Sequence, residues 1–203
     1  MSLCFFTRHP HFPQIEDNSI DTLEFLNASQ GLVWLIEQFG FGFEPVRDDL
    51  RRNIEKLLKK YNENTEEYRC LMRMILQESR KGEKNLTENL LWLRRGLSLM
   101  EKFMSIFLQK EQMGVFDENM SSILNEAYEK SLKTHHGIFT QILFNVLCSR
   151  CPNRTQFLKI LGCAEINDKE QLLSMLNKYL TNLQSNLEVL MIFYQNNNIK
   201  PHH

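Results

Sequence analysis

Apolar residues recur along most of the chain at intervals of three and four positions, the spacing of one face of an α-helix. No segment alternates apolar and polar residues as a half-buried strand would, so the pattern predicts no strand. Gly40, Gly82 and Gly162 fall where helices should end, and Asn153 and Asp168 are suited to cap helix starts. The pattern predicts helices at residues 18–40, 45–61, 64–81, 85–111, 118–150, 153–162 and 168–195.

Two of these helices carry unusual patterns. The predicted helix 85–111 is apolar around nearly its full circumference, which is typical of a central helix covered on every side. The predicted helix 45–61 has an apolar stripe and, beside it, a polar stripe of Asp49, Asn53 and Lys56 on one face. This stripe could be a solvated flank. It could also be a recognition patch with acceptors and donors for ligand hydroxyls and amides.

Two aromatic side chains allow similar alternatives. Trp92 lies within the apolar helix and could be a core residue or a flat platform for a sugar ring or a base. His136 falls on the same side as several apolar residues, which is typical of a core histidine with a satisfied hydrogen bond. No cysteine or carboxylate four positions on would complete a metal pair with it, so we expect no metal site.

Composition and charge narrow the class of protein. The 203 residues fit one domain, and 42% hydrophobic and 24% charged residues are ordinary for a globular fold. We expect residues 1–16 to be irregular. A formal net charge of −1 argues against a nucleic-acid-binding protein. The chain has neither an apolar stretch long enough to span a bilayer nor a secretory signal, so we expect a cytoplasmic protein with reduced cysteines.

The five cysteines include one close pair. Cys148 and Cys151 have C-x-x-C spacing, whereas Cys163 and the others are scattered. Two cysteines do not make a zinc site, and inert thiols at a helix end are the simplest interpretation. A flavin-linked thiol oxidase is an alternative. Because no phosphate loop or catalytic motif is present, we predict a protein that is not an enzyme and has no cofactor.

Three segments, taken in order, resemble one family. Residues 49–56 read D-L-R-R-N-I-E-K and resemble the D-x-x-x-N-x-x-K helix of glycolipid transfer proteins. Residues 91–97 read L-W-L-R-R-G-L and resemble that family's W-L-K/R-R-G-L segment. His136 and Gly137 resemble its H-G pair, and the similarity extends over residues 20–195.

The resemblance implies an all-α, two-layer helical sandwich of about seven to eight helices that encloses a lipid-binding cavity. It implies that Asp49, Asn53, Lys56 and Trp92 bind the headgroup sugar, and that Asp49 and His136 bind the ceramide amide. An acyl-chain tunnel would be lined by apolar residues whose other interpretation is plain core. The candidates are Phe103, Phe107, Phe139, Leu143, Phe144, Phe157 and Val189.

The implied function is binding of a single glycosphingolipid and its transfer between membranes without chemical change, by a monomer that contacts membranes transiently. Ile138 occupies the position of the family's membrane-docking tryptophan, and Glu88 and Asn89 are more polar than the family usually shows. One alternative is a lipid-loaded sensor or adaptor. Another is a carrier of ceramide-1-phosphate. That branch of the family has arginines where this chain has Trp92 and Gly96, so glycolipid is favoured.

Overall fold

The structure, a computed structural model, describes residues 4–162 and 169–197, and within these ranges it contains nine α-helices and no β-strand. The all-helical prediction is therefore confirmed. Cys163 and Asp168 lie outside the described residues. None of the described helices combines the length and apolar character needed to cross a membrane. The helices are α1 (Phe5–Arg8), α2 (Thr22–Glu37), α3 (Glu44–Tyr61), α4 (Leu71–Arg80), α5 (Asn85–Gln112), α6 (Ser121–Ser131), α7 (Ile138–Cys148), α8 (Arg154–Leu161) and α9 (Lys169–Asn196).

Helix α5 lies at the centre of the molecule, as its all-round apolar pattern predicts. It packs against α2, α3, α4, α6 and α9. Side chains on opposite sides of it, such as Leu90 and Leu99, are both buried. Burial of one such side chain contributes about 1.5–3 kcal/mol. This central helix is the fixed element against which the others hold the candidate site.

The predicted helix ends are largely confirmed. Asn153 caps α8 in a capping box: its side chain accepts from the Gln156 N–H, and the Gln156 side chain accepts from the Asn153 N–H. Gly162 ends α8 with a φ of 107°, a conformation that costs glycine little because it has no Cβ. Gly40 and Gly82 follow the ends of α2 and α4, also with positive φ.

The prediction of one helix over residues 118–150 is wrong. The structure has α6, a 3-10 turn at Lys133–His135 and α7, because His136 and Gly137 adopt extended backbone conformations. Glycine disfavours a helix interior by about 0.5–1 kcal/mol relative to alanine, and the Gln141 side chain donates to the freed His136 carbonyl. The break places the His136 side chain at a bend.

A second predicted helix is shorter than expected. The prediction extends over residues 64–81, but α4 begins only at Leu71. In the turn before α4, side chains form local hydrogen bonds with the backbone. For example, the Glu67 N–H donates to the Asn64 side-chain oxygen. Such bonds compete with helix formation.

The prediction that residues 1–16 are irregular is also wrong in part, because this segment contains α1 and packs into the core. Phe5 is buried and its ring meets that of Tyr179 on α9 edge to face, with centroids 5.4 Å apart. Farther along the segment, Asn186 of α9 donates to the Pro13 carbonyl at 2.8 Å. The N-terminal segment is thus tied to the last helix by both apolar and polar contacts.

Candidate functional site

A cleft of about 690 Å³ lies among α3, α5 and α7. Its direction follows from two contacts between antiparallel helices: Leu50 of α3 lies against Gly96 of α5, and Lys56 of α3 lies against Asn89 of α5. The end beyond Leu50 is mainly apolar and includes Val46 of α3. The other end is polar. The cleft brings together all five residues for which headgroup or amide contacts are predicted, Asp49, Asn53, Lys56, Trp92 and His136.

The polar stripe on α3 is not simply a solvated flank, because its middle residue is buried. Asn53 is 6% exposed, and its Nδ2 donates to the Asp49 backbone carbonyl at 2.9 Å. Asn53 Nδ2 also lies 3.4 Å from Asp49 Oδ2, so the NH2 group of the amide is occupied by Asp49. The amide oxygen, Asn53 Oδ1, accepts no hydrogen bond within the described ranges. The Asp49 carboxylate is half exposed, and Arg52 is its nearest cation at 3.4 Å. The stripe therefore offers two oxygen acceptors to the cleft.

Trp92 is half-buried at the cleft wall. The Arg95 guanidinium lies over its ring, 4.7 Å from the centroid, and the His136 ring is stacked 6.1 Å away at an angle of 21°. One turn farther, a Cβ on Gly96 would lie only 2.7 Å from Leu50 Cδ2. The absence of a side chain at Gly96 therefore lets α3 approach α5 closely enough to bring its polar stripe beside Trp92.

Arg95 is a site residue that the sequence analysis did not single out. It is 7% exposed, and its Nε has no hydrogen-bond partner among residues 4–162 and 169–197. Burial lowers its pKa, but a guanidinium remains protonated at neutral pH. A buried cation over an indole ring strengthens the cation–π contact and holds Trp92 in place.

His136 is oriented by Tyr128, which is also absent from the predicted set. The Tyr128 hydroxyl lies 2.9 Å from His136 Nδ1, and the Tyr128 ring stacks on Phe144 with centroids 3.7 Å apart. Burial lowers the pKa of His136; the nearby Arg95 acts in the same direction and Asp49 opposes both. The imidazole is therefore mainly neutral at pH 7. When Nδ1 accepts the hydrogen bond from the Tyr128 hydroxyl, the proton of the neutral imidazole is on Nε2, which can donate to a ligand.

The residues predicted to line an acyl tunnel fall into three groups. Phe103, Phe107 and Phe157 are fully buried, and Phe157 meets the other two edge to face at 5.2 and 5.0 Å. Val189 is partly buried against this core. The three rings fill the interior in this structure, and Val189 packs at its edge.

The other predicted tunnel residues are on α7. Leu143 and Phe144 line the cleft, whereas Phe139 is 86% exposed and does not. The break at Gly137 accounts for this, because it places Phe139 in the first turn of a separate helix that is only partly covered.

Helix α7 exposes an unusual apolar surface. Ile138 is 75% exposed, and Phe139, Ile142, Leu143 and Val146 are also exposed. A contiguous apolar patch on a protein surface is typical of an interaction site. Leu143 and Val146 also line the cleft, so the apolar patch reaches the cleft mouth.

The cysteine pair has the properties of inert thiols. Burial raises the pKa of Cys148 to about 11 and that of Cys151 to about 12. Thiolates are therefore rare at neutral pH, which disfavours the thiol-oxidase alternative.

Over the described ranges, no group of three or more histidine, cysteine or acidic side chains could hold a metal ion.

Comparison with known proteins gives consistent similarities. The family described as Glycolipid transfer protein (GLTP) matches residues 20–163. The glycolipid transfer protein of Xenopus tropicalis is 30% identical over 206 residues, with 94% of each chain covered. A solved structure that addresses how FAPP2 selects simple glycosphingolipids using the GLTP fold has a TM-score of 0.87, with 26% identity and 98% of each chain covered.

The fold is also shared with mouse ceramide-1-phosphate transfer protein in its apo form. The TM-score is 0.79 at 18% identity, and the match covers 96% of this chain and 94% of that one. At this identity the likeness concerns the fold alone.

Proposed function

Because the chain belongs to the glycolipid transfer protein family, we propose that it binds one glycosphingolipid in the cleft and transfers it between membranes without chemical change. The observation that carries this proposal is the cleft itself, in which a polar end and an apolar end are continuous. A glycosphingolipid has the same division between a hydroxyl-rich headgroup and two hydrocarbon chains.

The polar end suits a sugar. Trp92 presents a flat apolar ring, Asp49 and Asn53 provide oxygen acceptors, and Lys56 provides a cationic donor. A hydrogen bond to a charged group contributes about 1.5–3 kcal/mol, so the contacts of Asp49 and Lys56 would supply most of the polar recognition.

The ceramide amide would lie between Asp49 and His136. The carboxylate can accept from the amide N–H, and the Nε2–H of the neutral imidazole can donate to the amide carbonyl. Each amide group left unpaired on entering the protein would cost about 1–3 kcal/mol. Tyr128 serves as a positioning residue, because its hydroxyl holds the His136 ring by Nδ1.

The hydrocarbon chains would leave the cleft past Leu143 and Phe144 and enter the interior occupied by Phe103, Phe107 and Phe157. These rings must separate to admit a chain. Each methylene removed from water is stabilised by about 0.8 kcal/mol, in a bilayer as in the protein interior. Transfer from a membrane into the protein is therefore close to neutral in free energy, which suits a reversible carrier.

Membrane contact would use the apolar surface of α7, with Ile138 at its start. Because this surface reaches the cleft mouth, docking would bring the opening directly onto the lipid layer. We propose that the protein acts there as a cytoplasmic monomer. The free thiols of Cys148 and Cys151 are compatible with a reducing compartment.

Ceramide-1-phosphate is disfavoured by the packing at Gly96. An arginine there would have to begin with a Cβ 2.7 Å from Leu50 Cδ2, and the other arginine position is occupied by Trp92. A phosphate dianion would therefore lack a pair of guanidinium groups at these two positions.

The test is transfer of fluorescent glucosylceramide or galactosylceramide between vesicles, with fluorescent ceramide-1-phosphate in parallel. We expect transfer of the glycolipids alone. Loss of transfer with retained binding would instead indicate a lipid sensor. Binding of neither lipid by a folded protein would refute the proposal.

Trp92→Ala should abolish glycolipid binding and leave helical circular dichroism intact. The matched control is Trp34→Ala, because Trp34 is also half-buried and has an arginine, Arg8, 5.2 Å from its ring centroid. Asn53→Ala should weaken glycosylceramide binding more than ceramide binding. Equal losses for the two ligands would contradict its assignment to the sugar.

A further inference from the structure

Asn89 is a buried polar residue of α5, on the side of the helix that lines the cleft. It precedes Trp92 by three positions and therefore lies on the same side of the helix. Its side chain is 8% exposed and lines the cleft. A buried amide on a central helix needs polar partners, and the cleft is where it finds them.

The partner of Asn89 on the protein is Lys56. The Lys56 ammonium donates to Asn89 Oδ1 at 3.2 Å, across the gap between α3 and α5. In the described part of the chain, no carboxylate forms a salt bridge with Lys56. The pair is therefore a cation held by a neutral amide, and the ammonium retains two further protons for a ligand.

This contact also settles the orientation of the Asn89 amide. An ammonium group can only donate, so the amide oxygen must face Lys56 and the NH2 group must face away from it. Within residues 4–162 and 169–197, Asn89 Nδ2 donates no hydrogen bond, and the only side-chain bond of Asn89 is the one accepted from Lys56. The cleft therefore contains a fixed, unused donor one turn from the Trp92 ring.

The position of this donor relative to the lipid follows from the helix packing. The apolar end of the cleft lies beyond Leu50 and Gly96, whereas Lys56 and Asn89 close the opposite end. Asn89 is displaced from Trp92 by about 4.5 Å along the helix axis, away from the apolar end. This displacement is comparable to the width of one sugar ring.

From this geometry, and resting on the proposed function, we infer that Asn89 is a specificity-determining residue that donates to the sugar hydroxyls farthest from the ceramide. A hexose joined to ceramide at C1 and stacked on Trp92 presents its C3 and C4 hydroxyls in that direction. Glucose and galactose differ at C4. Asn89 therefore contributes to the choice between these two headgroups.

The experiment compares wild type with two variants. Asn89→Asp keeps an oxygen for Lys56 and removes the donor, whereas Asn89→Leu removes both groups at similar volume. We expect both variants to bind galactosylceramide and glucosylceramide about tenfold more weakly, with a changed ratio between the two lipids, and to bind sugar-free ceramide as before. If Asn89→Asp binds both glycolipids as wild type does, Asn89 only holds Lys56 and the inference is wrong.

A second measurement uses the ligand to separate a direct contact from a folding effect. The 3-deoxy and 4-deoxy forms of galactosylceramide each lack one hydroxyl. One of them should bind wild type about tenfold more weakly than the parent lipid, and that deficit should vanish in Asn89→Leu. Additive losses for both deoxy lipids would refute the contact. Failure of wild type to bind any glycosylceramide would instead refute the proposed function.

Discussion

Substitution of Gly96 by alanine tests whether close approach of α3 and α5 builds the site. The added methyl group would lie 2.7 Å from Leu50 Cδ2, about 0.7 Å short of the 3.4 Å at which ordinary contact begins. Leu50 is 1% exposed and borders the cleft, so neighbouring side chains limit its movement on the sides away from the cleft. Relief requires either a strained Leu50 rotamer or a small separation of the two helices.

The two opposing effects can be estimated separately. Overpacking of a core typically costs about 1–3 kcal/mol. Replacement of glycine by alanine within a helix contributes about 1 kcal/mol in the favourable direction. The net expectation for Gly96→Ala is a loss of about 0–2 kcal/mol in the free energy of unfolding. Glycolipid affinity should also fall, because Leu50 is adjacent to Asp49 on α3.

A double-mutant cycle with Leu50→Val isolates the contact. Valine lacks the terminal methyl groups that the alanine would meet, so Gly96→Ala should be less harmful in that background by at least about 1 kcal/mol. The free energy of unfolding of all four proteins is measured by urea unfolding followed by circular dichroism. In a thermal melt, each difference of 1 kcal/mol corresponds to a shift of about 2–4 °C in melting temperature. The reasoning would be refuted if Gly96→Ala raised the free energy of unfolding by about 1 kcal/mol in both the wild-type and the Leu50→Val background.

Three further predictions concern His136 and α7. Tyr128→Phe should weaken glycosylceramide binding about fivefold to tenfold while the ring stacking on Phe144 preserves the melting temperature; unchanged binding would exclude Tyr128 as a positioning residue. Because burial lowers the pKa of His136 below 6.5, the unfolded state binds more protons between that value and the folded pKa. The unfolding free energy should therefore fall as pH is lowered through this window, and less so in His136→Gln; equal slopes would contradict this. Ile138→Trp should raise the rate of vesicle association and Ile138→Ser should lower it, as measured by stopped-flow fluorescence. An unchanged rate in both variants would show that docking uses another surface.

The helices could be predicted from the sequence because burial of one face imposes a local repeat that needs no knowledge of the partner. The central place of α5 follows in the same way from apolar residues on all its sides. The polar stripe of α3 could be located too, but not its environment. Burial of Asn53 depends on α5, which approaches closely because Gly96 has no side chain.

The features that sequence reasoning missed depend on contacts between distant segments. The bend at Gly137 is supported by the bond between Tyr128 and His136, which a helical repeat does not reveal. Lys56 and Asn89 are 33 positions apart, and their pairing exists only because α3 and α5 are antiparallel. The polar character of Asn89, three positions before Trp92, was the available signal in the sequence, but its meaning depends on what faces it.

An acyl tunnel is the hardest feature to infer from sequence, for a physical reason. Lining a hydrocarbon chain and lining a protein core demand the same residue types, because both environments are apolar and close-packed. In this structure Phe157 contacts Phe103 and Phe107 edge to face, so the interior is closed by the same rings that a chain would touch. Edge-to-face contacts contribute only about 0.5–1.5 kcal/mol each, and an entering chain gives the rings new apolar contacts in their place. An entering chain can therefore replace these contacts as it advances, and a tunnel need not exist before its ligand.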